Sequence, residues 1–525
     1  MKKFYGIDIR SIAAFRIILS LFIAVEFSFM VLGNFTEIYS PETGVLGNAF
    51  AKDFHSFYNG FIGIFSIQSD LGMKLFIYLI ISVMLLLCIG FYPRIMAITG
   101  CILLYLFFNR YSLLYFGWEM YASVMLFWLA FVPQSSVFSF FRIEKNTITN
   151  YSSSIAGNNV SSGAVESKEW HSPLAFALIF QIGMIYFYNG ISKNGELWMT
   201  GRAVESFLND ADKARPLAAW VLGSNWINGF SVFLTYFTLI AEIGLIFILF
   251  IPWKNKQLRY LAAFLVFSLH WGIDIFVDVG NFKYVATAVA ILIVPGGFWD
   301  AVVHFLDKRI STAKRTAAPN SFIKWVSGIS KIKLPGLNVS ANYTLVKILA
   351  WTLCITILFS NLSQTNASMT TDRMKHVIEF FHVDKILKKV NHSFLPQYSF
   401  FTQYWHLYSP DPPKEQGYMQ VEVITEKNDT LSVFNGISLE KKRYYSSVQH
   451  NLFTYLLLKK GRNEKEKIAE KYLVLREIRL WNKQPGNDKI RSLQLVIYSR
   501  LFDKNKKLQS GFERLVYKTI DVKYR

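Results

Sequence analysis

Ionisable residues fall inside or at the ends of the long apolar runs of this chain: Arg16, Glu26, Glu119, Lys193, Glu242, His270, Asp274 and Asp278. A charge at the bilayer centre costs at least ~3 kcal/mol, so each needs a partner, a route to water or a function. Lys193 is the most informative, in the stretch Tyr186-Phe-Tyr-Asn-Gly-Ile-Ser-Lys193-Asn-Gly-Glu-Leu-Trp198-Met-Thr-Gly201. An ammonium at the end of an apolar helix must reach water, find a counter-charge or lose its proton, and the last outcome makes a general base. Asp274 follows His270 by one turn, so the two share a helix face. With Lys193 they are the expected lining of one polar cavity, while Asp278 falls another turn on, at the interface. Arg16 and Glu242 are expected to pair as a structural bridge. The competing readings are bland: Lys193 snorkels to the interface and anchors a helix end, and His270 is a packing residue.

The elements that must position these residues follow from apolar patterning. The 525 residues are 52% hydrophobic and 17% aromatic. Only 18% are charged, against roughly a quarter in soluble domains, and mean hydropathy is +0.27. The apolar residues gather into runs near the ~20 needed to cross a bilayer core. Nine helices are expected, over Ser11–Leu32, Leu75–Tyr92, Ile95–Leu114, Met120–Phe138, Leu174–Ile191, Phe230–Ile251, Tyr260–Phe276, Tyr284–Phe305 and Leu345–Leu362. The first is read as a retained helix and not a signal peptide, since Arg16 and Glu26 lie inside it and no small-residue cleavage site follows. Lys2, Lys3, Arg10, Arg94, Arg142, Lys145, Lys254, Lys256, Arg259 and the basic group from Lys308 to Lys333 fall on one side if nine helices alternate. The positive-inside rule then makes the amino terminus cytoplasmic and the carboxyl terminus extracytoplasmic, with Lys193 near the outer face.

Outside the spans, Phe50–Ile67 reads as an interfacial helix and Asn146–Glu169 as a flexible loop. After Thr365 the composition turns charged and mixed. Gly417–Thr425 with Thr430–Phe434, and Ser492–Leu501 with Phe512–Asp521, read as two hairpins around a helix-like Arg462–Leu480. The expected architecture is an all-α polytopic membrane bundle over residues 1–365, with an extracytoplasmic α+β domain over 371–525. The net charge of +20 comes without a zinc-finger or RNA-binding fingerprint, so a surface facing solvent or lipid headgroups is expected and no nucleic-acid partner. Cys88, Cys101 and Cys354 lie inside expected helices and fit neither a disulfide framework nor a zinc site. No metal-ligand set, dinucleotide fingerprint or internal repeat of a transporter is present in the sequence.

The arrangement Tyr186-Phe-x-x-Gly190-x-x-Lys193-x-x-x-x-Trp198-x-x-Gly201 resembles the motif around the active-site lysine of the vitamin K-dependent γ-glutamyl carboxylases and of the wider horizontally transferred transmembrane (HTTM) family. His270 followed by Gly280-x-Phe282-x-Tyr284 is similar to that family's histidine and Gly-x-Phe pattern. Asp8, Arg16 and Glu242 sit where HTTM proteins place like residues, and Gln403–Pro412 resembles the Trp-x-x-Phe-Ser-Pro segment of bacterial relatives. The resemblance covers roughly Phe4 to Tyr418. It implies that a lysine left neutral by its site deprotonates a reduced quinone, of the vitamin K or menaquinone type, so that a strong base forms and carbon dioxide adds to a glutamate. By position Lys193 is that lysine, His270, Glu119 and Asp274 orient, and Tyr186, Trp198 and Asp274 contact the cofactor. No metal is implied. The chain also departs from the carboxylases. Tyr115–Tyr121 holds no histidine, Ser192 replaces a second lysine, and no large propeptide-binding domain is recognisable. Two expectations follow: a quinone-linked enzyme acting on a peptide or small molecule, or a non-catalytic membrane factor that binds lipid or peptide in maturation or export.

Overall fold

The structure is a computed structural model. It describes residues 6–33, 35–44, 46–48, 67–111, 117–133, 169–209, 214–224, 226–278, 280–313, 343–368, 408–412, 415–434, 437–438, 464–501 and 513–522. A two-residue strand β1 (Ile7–Asp8) leads into α1 (Ile9–Leu32), followed by α2 (Asp70–Cys88), α3 (Pro93–Arg110) and α4 (Gly117–Leu129). Strand β2 (Glu169–Trp170) precedes α5 (Pro173–Ser192), three short helices α6 (Glu196–Met199), α7 (Ala203–Leu208) and α8 (Pro216–Leu222), then α9 (Ile227–Phe250) and α10 (Asn255–Phe276). Helices α11 (Phe282–Ile293), α12 (Gly296–Ala313) and α13 (Tyr343–Ser368) complete the helical part.

The long apolar helices mark an integral membrane protein. Among the described residues five are long and apolar enough to cross a membrane: α1, α2, α5, α10 and the Gly229–Phe250 part of α9. Counting the bent pair α11–α12 as one span makes six, against the nine expected from the sequence. Helix α4 has 13 residues, short of a bilayer crossing. The interfacial helix expected over Phe50–Ile67 lies, but for its last residue, outside the described residues. So does the loop Asn146–Glu169, except that Glu169 is strand and pairs with Asp8.

The single helix expected over Tyr284–Phe305 is broken, and its halves meet at 94°. The cause is Pro295, which has no N–H to donate and clashes with the preceding turn. A break inside an apolar bundle strands carbonyls that must be paired. Side chains from distant parts of the chain do this: Arg259 Nε donates to the Ile293 carbonyl at 3.1 Å, Ser11 Oγ to Val294 at 2.9 Å and Arg10 Nη2 to Gly296 at 3.1 Å. Asp8 in turn accepts from the Arg10 backbone at 2.8 Å and from Arg10 Nη2 at 2.8 Å, and Arg10 Nη1 reaches Asp300 at 2.7 Å. A Cβ at position 296 would stand 2.5 Å from Asp8 Oδ2, so only glycine admits the carboxylate at the start of α12.

The chain divides into two compact units: residues 1–24, 82–103 and 116–412, and residues 25–81, 104–115 and 413–525. In the first, α5 packs against α9 and α13, and α10 against α11. Helix α9 carries a polar stripe, Ser231, Thr235, Thr238 and Glu242, that is buried, while Phe233, Ile240 and Phe247 are exposed. That is the inverse of a soluble helix and the pattern of one facing lipid with its apolar side. Close approach of α5 and α9 depends on small residues. A Cβ on Gly190 would lie 2.7 Å from Ile243 Cγ1, and one on Gly183 2.9 Å from Ile246 Cγ1.

In the second unit, β3 (Glu415–Thr425), β4 (Thr430–Phe434), β5 (Ile437–Ser438), β6 (Ile490–Leu501) and β7 (Glu513–Asp521) form an antiparallel sheet of order β5-β4-β3-β6-β7. Val421 stands opposite both Val433 and Leu495, and these with Val423, Leu493 and Val496 are buried. Glu422, on the other face, is buried beneath Tyr498, whose hydroxyl donates at 2.9 Å, and Arg514. Helix α14 (Glu464–Lys483) buries Val474 and Trp481, and Arg476 Nε donates to the Thr43 carbonyl at 2.7 Å. Both expected hairpin partners and the helix between them are present. The expected boundary between 365 and 371 falls largely outside the described residues.

Candidate functional site

Helix α5 begins with Ser172 accepting from the Leu174 N–H and with Pro173 in its first turn, a favourable start because that N–H would have no helical partner. It ends at Lys193, whose backbone N–H returns to the Gly190 carbonyl at 3.2 Å. Asn189, Gly190 and Lys193 recur at helical spacing and face α9. Gly190 lets Glu242 come close, and the Lys193 ammonium meets Glu242 Oε2. Asn189 Nδ2 donates to the other oxygen, Oε1, at 2.8 Å. Lys193 and Glu242 are only 4% and 6% exposed, so the pair is an ion pair inside protein and not a snorkelling end. Such a pair carries no net charge, which is how a buried lysine is tolerated.

The loop beyond Lys193 is held by the segment 408–412. Gly195 N–H donates to the Pro410 carbonyl at 2.9 Å, Leu197 N–H to Asp411 Oδ1 at 2.8 Å and Ser409 Oγ to the Ser192 carbonyl. A side chain at Gly195 would collide with Asp411. Trp198 Nε1 donates to the Tyr408 carbonyl at 2.9 Å, and this places the indole face 5.0 Å from Lys193 Nζ. Helix α7 is fixed onto the polar stripe of α9, with Ser231 and Thr235 accepting from the N–H groups of Glu205 and Val204.

Two turns before Lys193 on α5, the Tyr186 hydroxyl lies 3.1 Å from His270 Nε2 on α10. The His270 ring packs on Phe282 at 4.8 Å, and Tyr121 of α4 packs on the same Phe282 at 5.1 Å. The two pairs are linked through α5, which carries Tyr186 and ends at Lys193.

Of the residues singled out in the sequence, Lys193, Tyr186, His270 and Trp198 come together. Asp274 does not join them: its Oδ1 accepts from Lys283 at 2.7 Å and Arg215 at 2.8 Å, in a separate cluster tying α8 to the α10–α11 corner. Asp278 is half exposed and 3.8 Å from Arg215. Glu119 lies half-buried in the first turn of α4, two residues before Tyr121. The expected Arg16–Glu242 bridge is replaced by Lys193–Glu242, because the carboxylate faces α5. Asn189 was not singled out, although its spacing of four from Lys193 places both on one face.

The geometry provides a buried amine–carboxylate pair able to exchange a proton without change of net charge, with an imidazole, a phenol and an indole around it. Compared as a whole, the chain matches no family model, no curated protein and no solved structure.

Proposed function

We propose that the chain is a membrane protein of the HTTM and carboxylase-like type. In this reading it has a cytoplasmic amino terminus and an extracytoplasmic carboxyl-terminal domain, and Lys193 acts as a proton acceptor toward a substrate entering from the outer side. The single observation that carries the reading is the buried Lys193–Glu242 pair beside Tyr186–His270. A lysine sealed from water and given a proton-accepting neighbour is the arrangement general base chemistry needs. The reduced quinone that the sequence resemblance implies fits these residues. Trp198 and Phe282 would offer ring faces to a planar aromatic, Tyr186 and His270 would hydrogen-bond its oxygens, and Lys193 Nζ would be the atom placed to hold a proton. When bound, such a quinol supplies an acidic O–H and reducing power toward oxygen. Lys193 holds and returns the proton at Nζ, Glu242 balances its charge, and Trp198 fixes its direction. A peptide or small molecule, with carbon dioxide as co-substrate, completes the reading.

One observation favours a non-catalytic alternative, a membrane factor that binds lipid or peptide in maturation or export. Lys193 is already fully engaged by Glu242 and Trp198, as a structural pair would be. The experiment supplies purified protein in lipid with reduced menaquinone, bicarbonate, oxygen and a peptide extract, and reads quinone epoxide and carboxylated peptide by mass spectrometry. The enzyme reading requires product from wild type and none from Lys193→Ala or Lys193→Arg, because arginine keeps the charge but cannot become a neutral base. Equal product from Lys193→Arg, or no product from folded wild type, moves the assignment to the binding role.

A further inference from the structure

We propose that Glu242 is the proton acceptor for Lys193 and that the Asn189 amide serves both protonation states of that carboxyl. The inference rests on the reading of Lys193 as a base. In the step, an N–H bond of the Lys193 ammonium breaks and an O–H bond forms at Glu242 Oε2. This leaves a neutral amine and a neutral carboxyl, and the pair has zero charge before and after. The geometry provides both ends of this exchange. With the carboxylate charged, its two oxygens each face a donor, Lys193 Nζ on Oε2 and Asn189 Nδ2 on Oε1. Asn189 Oδ1 is buried and, among the described residues, has no hydrogen-bond partner. An asparagine amide has a donor end and an acceptor end of nearly equal shape. With the carboxyl also rotated so that its O–H points at Asn189, the turned amide accepts at Oδ1 from protonated Glu242, the other carboxyl oxygen accepts from the amine N–H, and the Lys193 lone pair is free to face a substrate.

The other groups that face the pair are few. Tyr186 on α5, hydrogen-bonded to His270 on α10, stands on the same helix as Lys193, and the Trp198 ring lies under the ammonium. None of these is an anion at neutral pH, so among the described residues around the pair Glu242 is the counter-charge. Replacing it by glutamine leaves the ammonium an amide oxygen and an indole face but no counter-charge in a dry site.

The test reads the lysine directly and needs no activity. Protein carrying 13Cε-labelled lysine is placed in lipid nanodiscs, and the Lys193 signal is assigned as the one missing from Lys193→Arg. In wild type this signal is expected at the ammonium position through neutral pH. In Glu242→Gln it is expected at the amine position at neutral pH, a midpoint lower by about two pH units or more. Asn189→Leu, which removes the second donor to the carboxylate, places the midpoint between the two. Superimposed titrations of wild type and Glu242→Gln overturn the proposal. If Glu242→Gln does not fold, Asn189→Leu is held to the same criterion against wild type. The failures are separable. A shifted Lys193 signal with no quinol-dependent product leaves the proton-sharing pair standing and removes the enzyme. Product from Glu242→Gln with the wild-type pH profile keeps Lys193 as base and removes Glu242.

Discussion

Trp198 holds Lys193 from below: its ring centre is 5.0 Å from the ammonium while its Nε1 is anchored on the Tyr408 carbonyl at 2.9 Å. The two contacts can be removed in turn. Trp198→Phe keeps a ring face and loses the donor, leaving a carbonyl short of a partner at a cost of about 1–2 kcal/mol. Trp198→Leu also removes the cation–π contact, a further ~1 kcal/mol. Thermal unfolding in detergent should rank wild type above Trp198→Phe and Trp198→Leu last; equal melting of the two variants would show that the ring face contributes nothing.

Gly190 sets the distance between α5 and α9. Its added Cβ would meet Ile243 Cγ1 at 2.7 Å and the Ile243 backbone nitrogen at 3.2 Å, whereas a Cβ on Gly244 would meet nothing within 4 Å. Gly190→Ala should therefore destabilise by about 1–3 kcal/mol and displace Glu242 from Lys193. Gly244→Ala should be close to neutral. Shortening Ile243 to alanine in the Gly190→Ala background is expected to return part of the loss, measured by the same melts.

The β1–β2 pair carries a pH response. The hydrogen bond from His171 holds the Glu169 carboxyl below the ordinary value of 4.5, and this outweighs the opposing effect of burial. A depressed carboxyl contributes stability that is present above its unfolded value and lost as pH falls through the folded one. Melting temperature should thus fall on acidification below about pH 4.5, and the fall should be smaller in Glu169→Gln. A pH dependence unchanged by that substitution would place the acid sensitivity elsewhere.

The apolar helices were legible because a bilayer demands long apolar runs, and the strands of the second unit because alternation and turn residues bounded them. The partners of the charged residues were not. Whether Glu242 meets Arg16 or Lys193 depends on the rotation of α9 against α5, and that is decided by the contacts of Gly183 and Gly190 with Ile246 and Ile243. Asp274 shares a helix with His270, as its spacing indicated. Yet Lys283 and Arg215 claim it, and both come from segments whose placement follows from tertiary packing. Tyr284–Phe305 was expected as one helix across Pro295, and the 94° bend became possible only because Ser11, Arg10 and Arg259 pair the stranded carbonyls.

The corner at Pro295 ties the order of synthesis to the order of assembly. Ser11 and Arg10 leave the ribosome before Val294 and Asp300, which they bind and which emerge 283 to 290 residues later. Until then Ser11 and Arg10 have no partner at that corner, and Asp8 and Arg10 neutralise each other. Closure thus joins segments far apart in sequence, a late event of the kind that leaves long-lived partly assembled chains exposed to quality control. A lesion at either end, in Asp8 or in Gly296, should show the same phenotype: normal insertion followed by rapid turnover.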